Sequence, residues 1–350
     1  MIVQYIVTVF VLGVIVLIHE WGHYISARSI GIAVQEFAIG IGPAIWKKQG
    51  SYTLYSIRAI PFGGYCLFDA QLEGADRRGR PLSILKRKAL SKIYVSLAGP
   101  VMNFMLAAVL FTLLFSFIGL SVGYEPIIGE VQPDSPAAVG GLLPGDRILA
   151  IEGTPLYTFQ DLSVIIAAYD EQKELEFRIQ RGSEIRTLSI TPQRRLEDGR
   201  LVIGVVVDQN YVMTEKVSPV DAIRYGMKQT VTMIGLLVGA VVQMVTGQIS
   251  LAENLSGPIS LAQIIAETAS TGAINTFSLT AFLSVNLGIM NLLPLPALDG
   301  GKIILYFVEI LRRKPFSIAV EGWINLVGFA LIMTLMVVLT FKDILHFIGG

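Results

Sequence analysis

The sequence predicts a polytopic α-helical membrane protein with about four transmembrane helices and one inserted β-rich domain. Three observations carry this expectation. The composition is 53% hydrophobic and only 15% charged, too apolar for an ordinary soluble chain. Three apolar stretches, Ile2–Ile18, Val95–Leu120 and Trp323–Phe341, approach or exceed the ~20 residues a spanning helix needs. A fourth, Phe277–Leu293, is shorter and runs into prolines. Between Tyr124 and Asp208 the pattern changes to short alternating segments separated by turns.

Each element has its own reason. Residues 1–30 form the first transmembrane helix; no Lys or Arg precedes Ile2 and no small-residue cleavage site follows the apolar run, so a retained span is expected rather than a signal peptide. Residues 31–93 are a loop. Between Arg28 and Lys92 it carries 11 basic and 4 acidic residues, which places it on the cytoplasmic side. Within it "SYTLYSIRAIP" alternates like a strand between glycine-rich turns. Residues 94–120 return outward, and 121–210 form the extracytoplasmic β-rich domain, where Ser121–Lys216 holds 9 basic and 15 acidic residues. One helix is expected there, "TFQDLSVIIAAY", with Thr158 as its N-cap. Residues 211–276 include the apolar "TVTMIGLLVGAVVQMVTG". If this crossed, Asp299 would emerge opposite the Arg28 end of the first helix, and Arg312, Arg313 and Lys314 would fall outside; an amphipathic segment at the outer interface is therefore expected. Residues 277–301 are the third span, 302–322 a basic cytoplasmic loop, and 323–350 the fourth span and tail. Cys66 is the only cysteine, so the outer domain has no internal disulfide, and nothing suggests nucleic-acid binding.

The chemistry lies in "LIHEWGHYIS". On a helix His19 and His23 share one face, so both imidazoles can reach one metal, with Glu20 beside them to act on water. The other reading is a polar cluster satisfied by neighbouring helices. A catalytic metal of the zinc type takes three protein ligands. The third histidine, His346, falls on the opposite side in this topology. Asp299 follows a segment broken by Pro294 and Pro296, and irregular backbone at membrane depth is tolerated only around a cavity or within protein. It reads either as a ligand or as the N-cap of the following helix. Asn103 either supports the metal site or bonds a neighbouring helix.

Two resemblances follow from the motifs. "SPAAVGGLLPGDRILAIEGTPL" resembles PDZ domains, in the circularly permuted form of bacterial membrane proteases. That implies strand addition of a peptide terminus beside "RLVIGVV", with Ile203 and Gly204 in the groove, or else a domain that only gates the membrane site. The H-E-x-x-H of residues 19–23 and "NLLPLPALDGG" stand in order with "GIGP" (Gly40–Pro43), "PFGGY" (Pro61–Tyr65), "LAGPVMNF" (Leu97–Phe104) and "NLSGPISLAQ" (Asn254–Gln263). With these motifs the chain resembles the site-2 protease family of intramembrane zinc metalloproteases, most closely the bacterial regulator-of-sigma-E type. Members of that type carry two tandem PDZ domains, whereas this chain has room for one.

The resemblance implies that His19, His23 and Asp299 bind zinc (Zn2+), that Glu20 is the general base, and that Asn291 hydrogen-bonds the substrate backbone. It also implies that Ile39–Phe68 is a re-entrant, membrane-associated β-hairpin whose edge pairs with unwound substrate, with Tyr65 in contact. The implied partners are transmembrane proteins, such as anti-sigma factors or signal-peptide remnants, and the lipid bilayer. The implied location is the bacterial cytoplasmic (inner) membrane, multi-pass, with the PDZ domain outside. A non-proteolytic metal transporter and a pseudo-protease scaffold that only presents its PDZ domain are the alternatives from other classes.

Overall fold

The computed structural model describes residues 2–68, 88–169, 173–195, 199–208, 210–249 and 257–349. Residues 69–87 of the expected cytoplasmic loop, and Asn254, Leu255 and Ser256 of the "NLSGPISLAQ" motif, lie outside the described residues. The chain divides into two compact units, Met1–Leu114 with Pro219–Gly350, and Phe115–Ser218. In chain order the helices are α1 (Ile2–Ser29), α2 (Ala89–Ile118), α3 (Pro136–Val139), α4 (Phe159–Ile166), α5 (Pro219–Val245), α6 (Pro258–Ser270), α7 (Ala273–Leu292), α8 (Asp299–Arg312) and α9 (Ile318–Gly349).

Among the described residues five helices are long and apolar enough to cross a membrane, namely Val3–Ser29, Ala89–Ile118, Pro219–Val245, Ala273–Leu292 and Ala319–Leu345. Four coincide with the expected spans, and α5 is the addition. Its buried residues, Ala222, Gly226 and Thr230, recur every fourth position and so form one stripe. Gly226 lies where any side chain would overlap Thr112 and the Ala108 carbonyl of α2. Beyond Thr230 no described residue of α5 is buried, so only its first half is packed. The same 211–276 segment holds α6, whose Ile265 is fully buried with Val11, Ile15 and Leu283.

The membrane helices approach closely through small residues, as they must where lipid is as apolar as the side chains. Gly22 of α1 sits against the Ala98 carbonyl of α2, and Gly288 of α7 against the Phe104 ring. Ser284 Oγ donates to the Asn103 carbonyl at 2.8 Å, joining α7 to α2. At Leu292 α7 stops, since Pro294 and Pro296 cannot continue its hydrogen-bond ladder. The chain reverses through Ala297 at φ 71°. Gly300 and Gly301 then pass so near the Leu292, Leu293 and Leu295 carbonyls that no β-carbon fits. Gly328 of α9 packs on Pro296 in the same manner.

Between α1 and α2 lie β1 (Val34–Gln49) and β2 (Leu54–Phe68). The hairpin begins at Val34, five residues before the expected Ile39. Both strands fold back. Residues Glu36–Ile39 stand opposite Leu54–Ile57 on one side and Gly64–Leu67 on the other, while Trp46–Gln49 pair with Leu54–Ile57. Two strands thus make a sheet of four segments, with Gly64–Phe68 at one edge and Trp46–Gln49 at the other. Ile41, Ile45, Trp46 and Ile57 are exposed on this hairpin.

A buried ionic cluster joins α2, α8 and α9. Lys92, 1% exposed, donates to Glu309 Oε1 at 3.3 Å and Oε2 at 3.1 Å. Its Nζ lies 3.8 Å from Glu321 Oε1 and 4.9 Å from the centre of the Tyr306 ring. The Phe316 N–H donates to Glu309 Oε1 at 2.8 Å, which ties the α8–α9 turn to the same carboxylate.

The inserted unit is built on a four-stranded sheet in the order β6 (Thr154–Pro155), β5 (Arg147–Ile151), β7 (Leu175–Arg181), β8 (Glu184–Ile190). Ile148, Ile151, Phe177, Ile179 and Ile190 supply its core. Strand β3 (Leu120–Tyr124) pairs antiparallel with β12 (Val212–Glu215), and β4 (Ile128–Val131) with β11 (Val205–Val207). A short pair, β9 (Gln193–Arg194) with β10 (Leu201–Val202), completes the set. Ser135 caps α3 by accepting from the Ala138 N–H at 3.2 Å. At α4 Asp161 Oδ2 accepts from the Thr158 N–H at 2.8 Å, the reciprocal half of a capping box. "RLVIGVV" is broken at Ile203–Gly204, where Gly204 has φ 80° and passes against Ser135.

Two outcomes are expected from this packing. Phe177→Ala, which empties a fully buried ring site, should destabilise the inserted unit by about 3–5 kcal/mol, seen as a lowered midpoint in denaturant with protease susceptibility confined to that unit. Lys92→Met should strand the buried Glu309 carboxylate and cost about 3–5 kcal/mol; a double Lys92→Met, Glu309→Leu variant should recover most of that loss in the same measurement.

Candidate metal centre

Helix α1 brings His19 and His23 one turn apart on a single face, both buried. Asp299, the first residue of α8, is buried beside them. The two Nε2 atoms lie 3.3 Å apart, and Asp299 Oδ2 is 3.2 Å from that of His19 and 3.1 Å from that of His23. Three atoms that each offer a lone pair therefore converge with no other protein group between them. A tetrahedral ion with arms of about 2.0–2.1 Å needs ligand separations of about 3.3 Å, so the donor set fits a metal with one position left open. Among the described residues this is the group of His, Cys, Asp and Glu side chains that could hold an ion.

Second contacts orient each ligand. His23 Nδ1 donates to the Val95 carbonyl at 2.8 Å. His19 Nδ1 lies 3.2 Å from the Asn103 carboxamide. Lys302 Nζ donates to Asp299 Oδ1 at 3.3 Å, leaving Oδ2 for the centre. Gly99 forms the floor: a β-carbon there would overlap His23 Nε2 and come within 2.8 Å of His19 Cε1. The capping alternative for Asp299 is not what the geometry shows. The N-cap of α8 is Leu298, no side chain caps it, and Asp299 sits in the first turn with its carboxylate toward the histidines. A negative charge there still gains from the helix dipole. The side chain of His346 lies outside the described residues.

These ligands open into a cavity of about 650 Å³ whose walls include Glu20, Tyr65, Asn291, Glu321 and Asn325. Glu20 reaches it past Gly64, where a β-carbon would stand 3.1 Å from Glu20 Cγ. The edge segment Gly64–Phe68 lines the same space. It is paired with β1 on one side, and no strand pairs with its other side among the described residues. Tyr65 is part of the cavity wall, but its hydroxyl donates to Glu36 Oε2 at 2.9 Å. Glu36 Oε1 also accepts from Ser56 Oγ and from Arg58 Nη2, both at 2.6 Å, and the Arg58 guanidinium lies 5.0 Å from the Tyr65 ring centre. Sequence reasoning missed this Glu36 hub and the Lys92 cluster. Lys92 was counted among the loop's basic residues; the available signal was Glu309 standing alone within the apolar "IILYFVEIL".

The geometry has relatives. The pattern of peptidase family M50 matches residues 7–335. A protein named as a zinc metalloprotease from Clostridium acetobutylicum is 34% identical over 97% of this chain and 97% of its own length. The regulator of sigma-W protease of Bacillus subtilis is 30% identical over 96% of this chain and 97% of its own length. The crystal structure of the PDZ domain of an SdrC-like protein from Listeria innocua is similar at 24% identity and a TM-score of 0.23, over 24% of this chain and 94% of that one. A match that spans α1 and α8, with relatives alike from end to end, means that the chain belongs to peptidase family M50.

Proposed function

We propose that His19, His23 and Asp299 hold zinc and that Glu20 activates water beside it, hydrolysing a peptide bond of an unwound transmembrane segment laid along the Gly64–Phe68 edge. The observation that carries this reading is the convergence of three ligand atoms in one cavity with an unpaired sheet edge. Membership of family M50, and relatives named as zinc metalloproteases, support zinc as the ion and intramembrane proteolysis as the activity.

The amides of a transmembrane helix are shielded by their own hydrogen bonds, so local unwinding precedes cleavage. The Gly64–Phe68 edge offers replacement backbone partners to the extended form. Asn291, at the end of α7 and in the cavity wall, hydrogen-bonds the substrate backbone near the scissile bond. Tyr65 contributes its ring as a packing surface while Glu36 keeps its hydroxyl. When bound, zinc lowers the pKa of water to about 7 and polarises a carbonyl. Glu20 takes the water proton and delivers it to the leaving amine.

The substrates are transmembrane segments of membrane proteins. The sigma-W regulator name of the Bacillus subtilis relative favours anti-sigma factors; signal-peptide remnants are the second class. The charge distribution supports a bacterial cytoplasmic-membrane location with the N-terminus and inserted unit outside and the 211–276 segment at the outer interface. His19 and Glu20 then lie toward the inner side. The inserted unit is PDZ-like and takes a peptide terminus beside Ile203 and Gly204. Its cavity of about 290 Å³, walled by Phe159, Leu162, Ile166 and Leu201, supports that placement.

Glu20→Gln should lower cleavage of a transmembrane reporter at least 10²-fold while zinc content, measured by atomic absorption, stays at the wild-type level. Wild-type cleavage by that variant would remove Glu20 from the mechanism. Mass spectrometry of the reporter fragments should place the cut toward the cytoplasmic half of the segment; a cut near the outer end would reverse the assigned orientation.

A further inference from the structure

The two candidate ligands on α1 are held differently at Nδ1. His23 Nδ1 faces the Val95 carbonyl at 2.8 Å, and a carbonyl only accepts, so Nδ1 carries the proton and Nε2 presents its lone pair to the centre. His19 Nδ1 faces the carboxamide of Asn103, with Nδ2 placed at 3.2 Å and Oδ1, buried, accepting from no group among the described residues. In that orientation Nδ2 donates to a bare Nδ1. The His19 proton then sits on Nε2, where Asp299 Oδ2 at 3.2 Å accepts it and the Nε2 of His23 lies 3.3 Å away, and no His19 lone pair remains for a cation. Rotating the carboxamide by half a turn, an exchange of oxygen and nitrogen that atom positions alone do not decide, reverses every sign. Oδ1 gains the Nδ1–H of His19 as its donor, and Nε2 turns its lone pair on the centre.

We infer that Asn103 is a positioning residue that fixes His19 in the Nδ1–H tautomer by accepting through Oδ1, so that the affinity of the metal centre depends on a side chain of α2. The inference rests on the proposed zinc reading. Asn103 is suited to the task because it is fully buried, with no water to compete for the acceptor. Its backbone carbonyl takes the Ser284 hydroxyl of α7 at 2.8 Å, which pins this stretch of α2. The Gly99 floor, one turn earlier, keeps both rings against the same helix face. His23 needs no such partner, because a main-chain carbonyl does the same for it.

The test is zinc affinity of the full-length, detergent-solubilised protein, measured by competition with a chromophoric chelator. Asn103→Leu fills the space with no acceptor and should weaken zinc binding 10–100-fold, with cleavage restored by saturating zinc. Asn103→Asp, an obligate acceptor, should bind zinc at least as tightly as the wild type. Equal affinity in the wild type and Asn103→Leu would overturn the inference, as would weakened binding in a folded Asn103→Asp, which decides the matter if the leucine variant does not fold. A wild-type protein that binds no zinc would instead defeat the zinc reading itself, so the two failures are told apart.

Discussion

Everything near the centre of the membrane unit answers to one constraint: three lone-pair atoms, from His19, His23 and Asp299, face one another within hydrogen-bond distance in an apolar interior. Such a cluster is unfavourable unless a cation or shared protons satisfy it. Holding it demands closeness that side chains would prevent. Gly99 clears the two rings, Gly22 lets α1 meet α2, and Gly300 and Gly301 let the chain double back so that Asp299 arrives at the histidines. The break after Leu292 is the other half of the same requirement. An uninterrupted helix would carry Asp299 onward with α7, whereas the turn through Ala297 starts a new helix at the ligand.

The polar residues that meet at the candidate centre were legible because polarity is conspicuous in an apolar run. His19, Glu20 and His23 interrupt the first span, and Asp299 follows two prolines that forbid a continuous helix. The inserted β-rich unit was legible from alternation, down to the Thr158 start of α4. What could not be read were relations with no local period. The double pairing of Glu36–Ile39 depends on both strands folding back, and a strand pattern does not say how many neighbours it has. Lys92 looked like a solvated loop charge because its partners, Glu309 and Glu321, come some two hundred residues later. The length and apolarity of α5 were visible, but charge parity argued against counting it as a span.

Charge is used in two opposite ways within this unit. In the Lys92 cluster and around Glu36, opposite charges meet and knit elements together: α2 to α8 and α9 in the first, and three hairpin segments in the second. Losing one member of such a network leaves its partners uncompensated. The histidine and carboxylate centre is open, with donor atoms turned inward upon each other and a cavity beside them.

The pairing of β3 with β12 carries a consequence for how such chains change over time. Leu120 stands opposite Glu215 and Tyr124 opposite Val212, so the inserted unit begins and ends on adjacent strands and closes on itself like a clasp. A module whose ends meet can be duplicated, exchanged or deleted while its host sees the same gap between two helices. In-frame recombination at these two junctions can therefore change the number of inserted modules without redesigning the helices on either side.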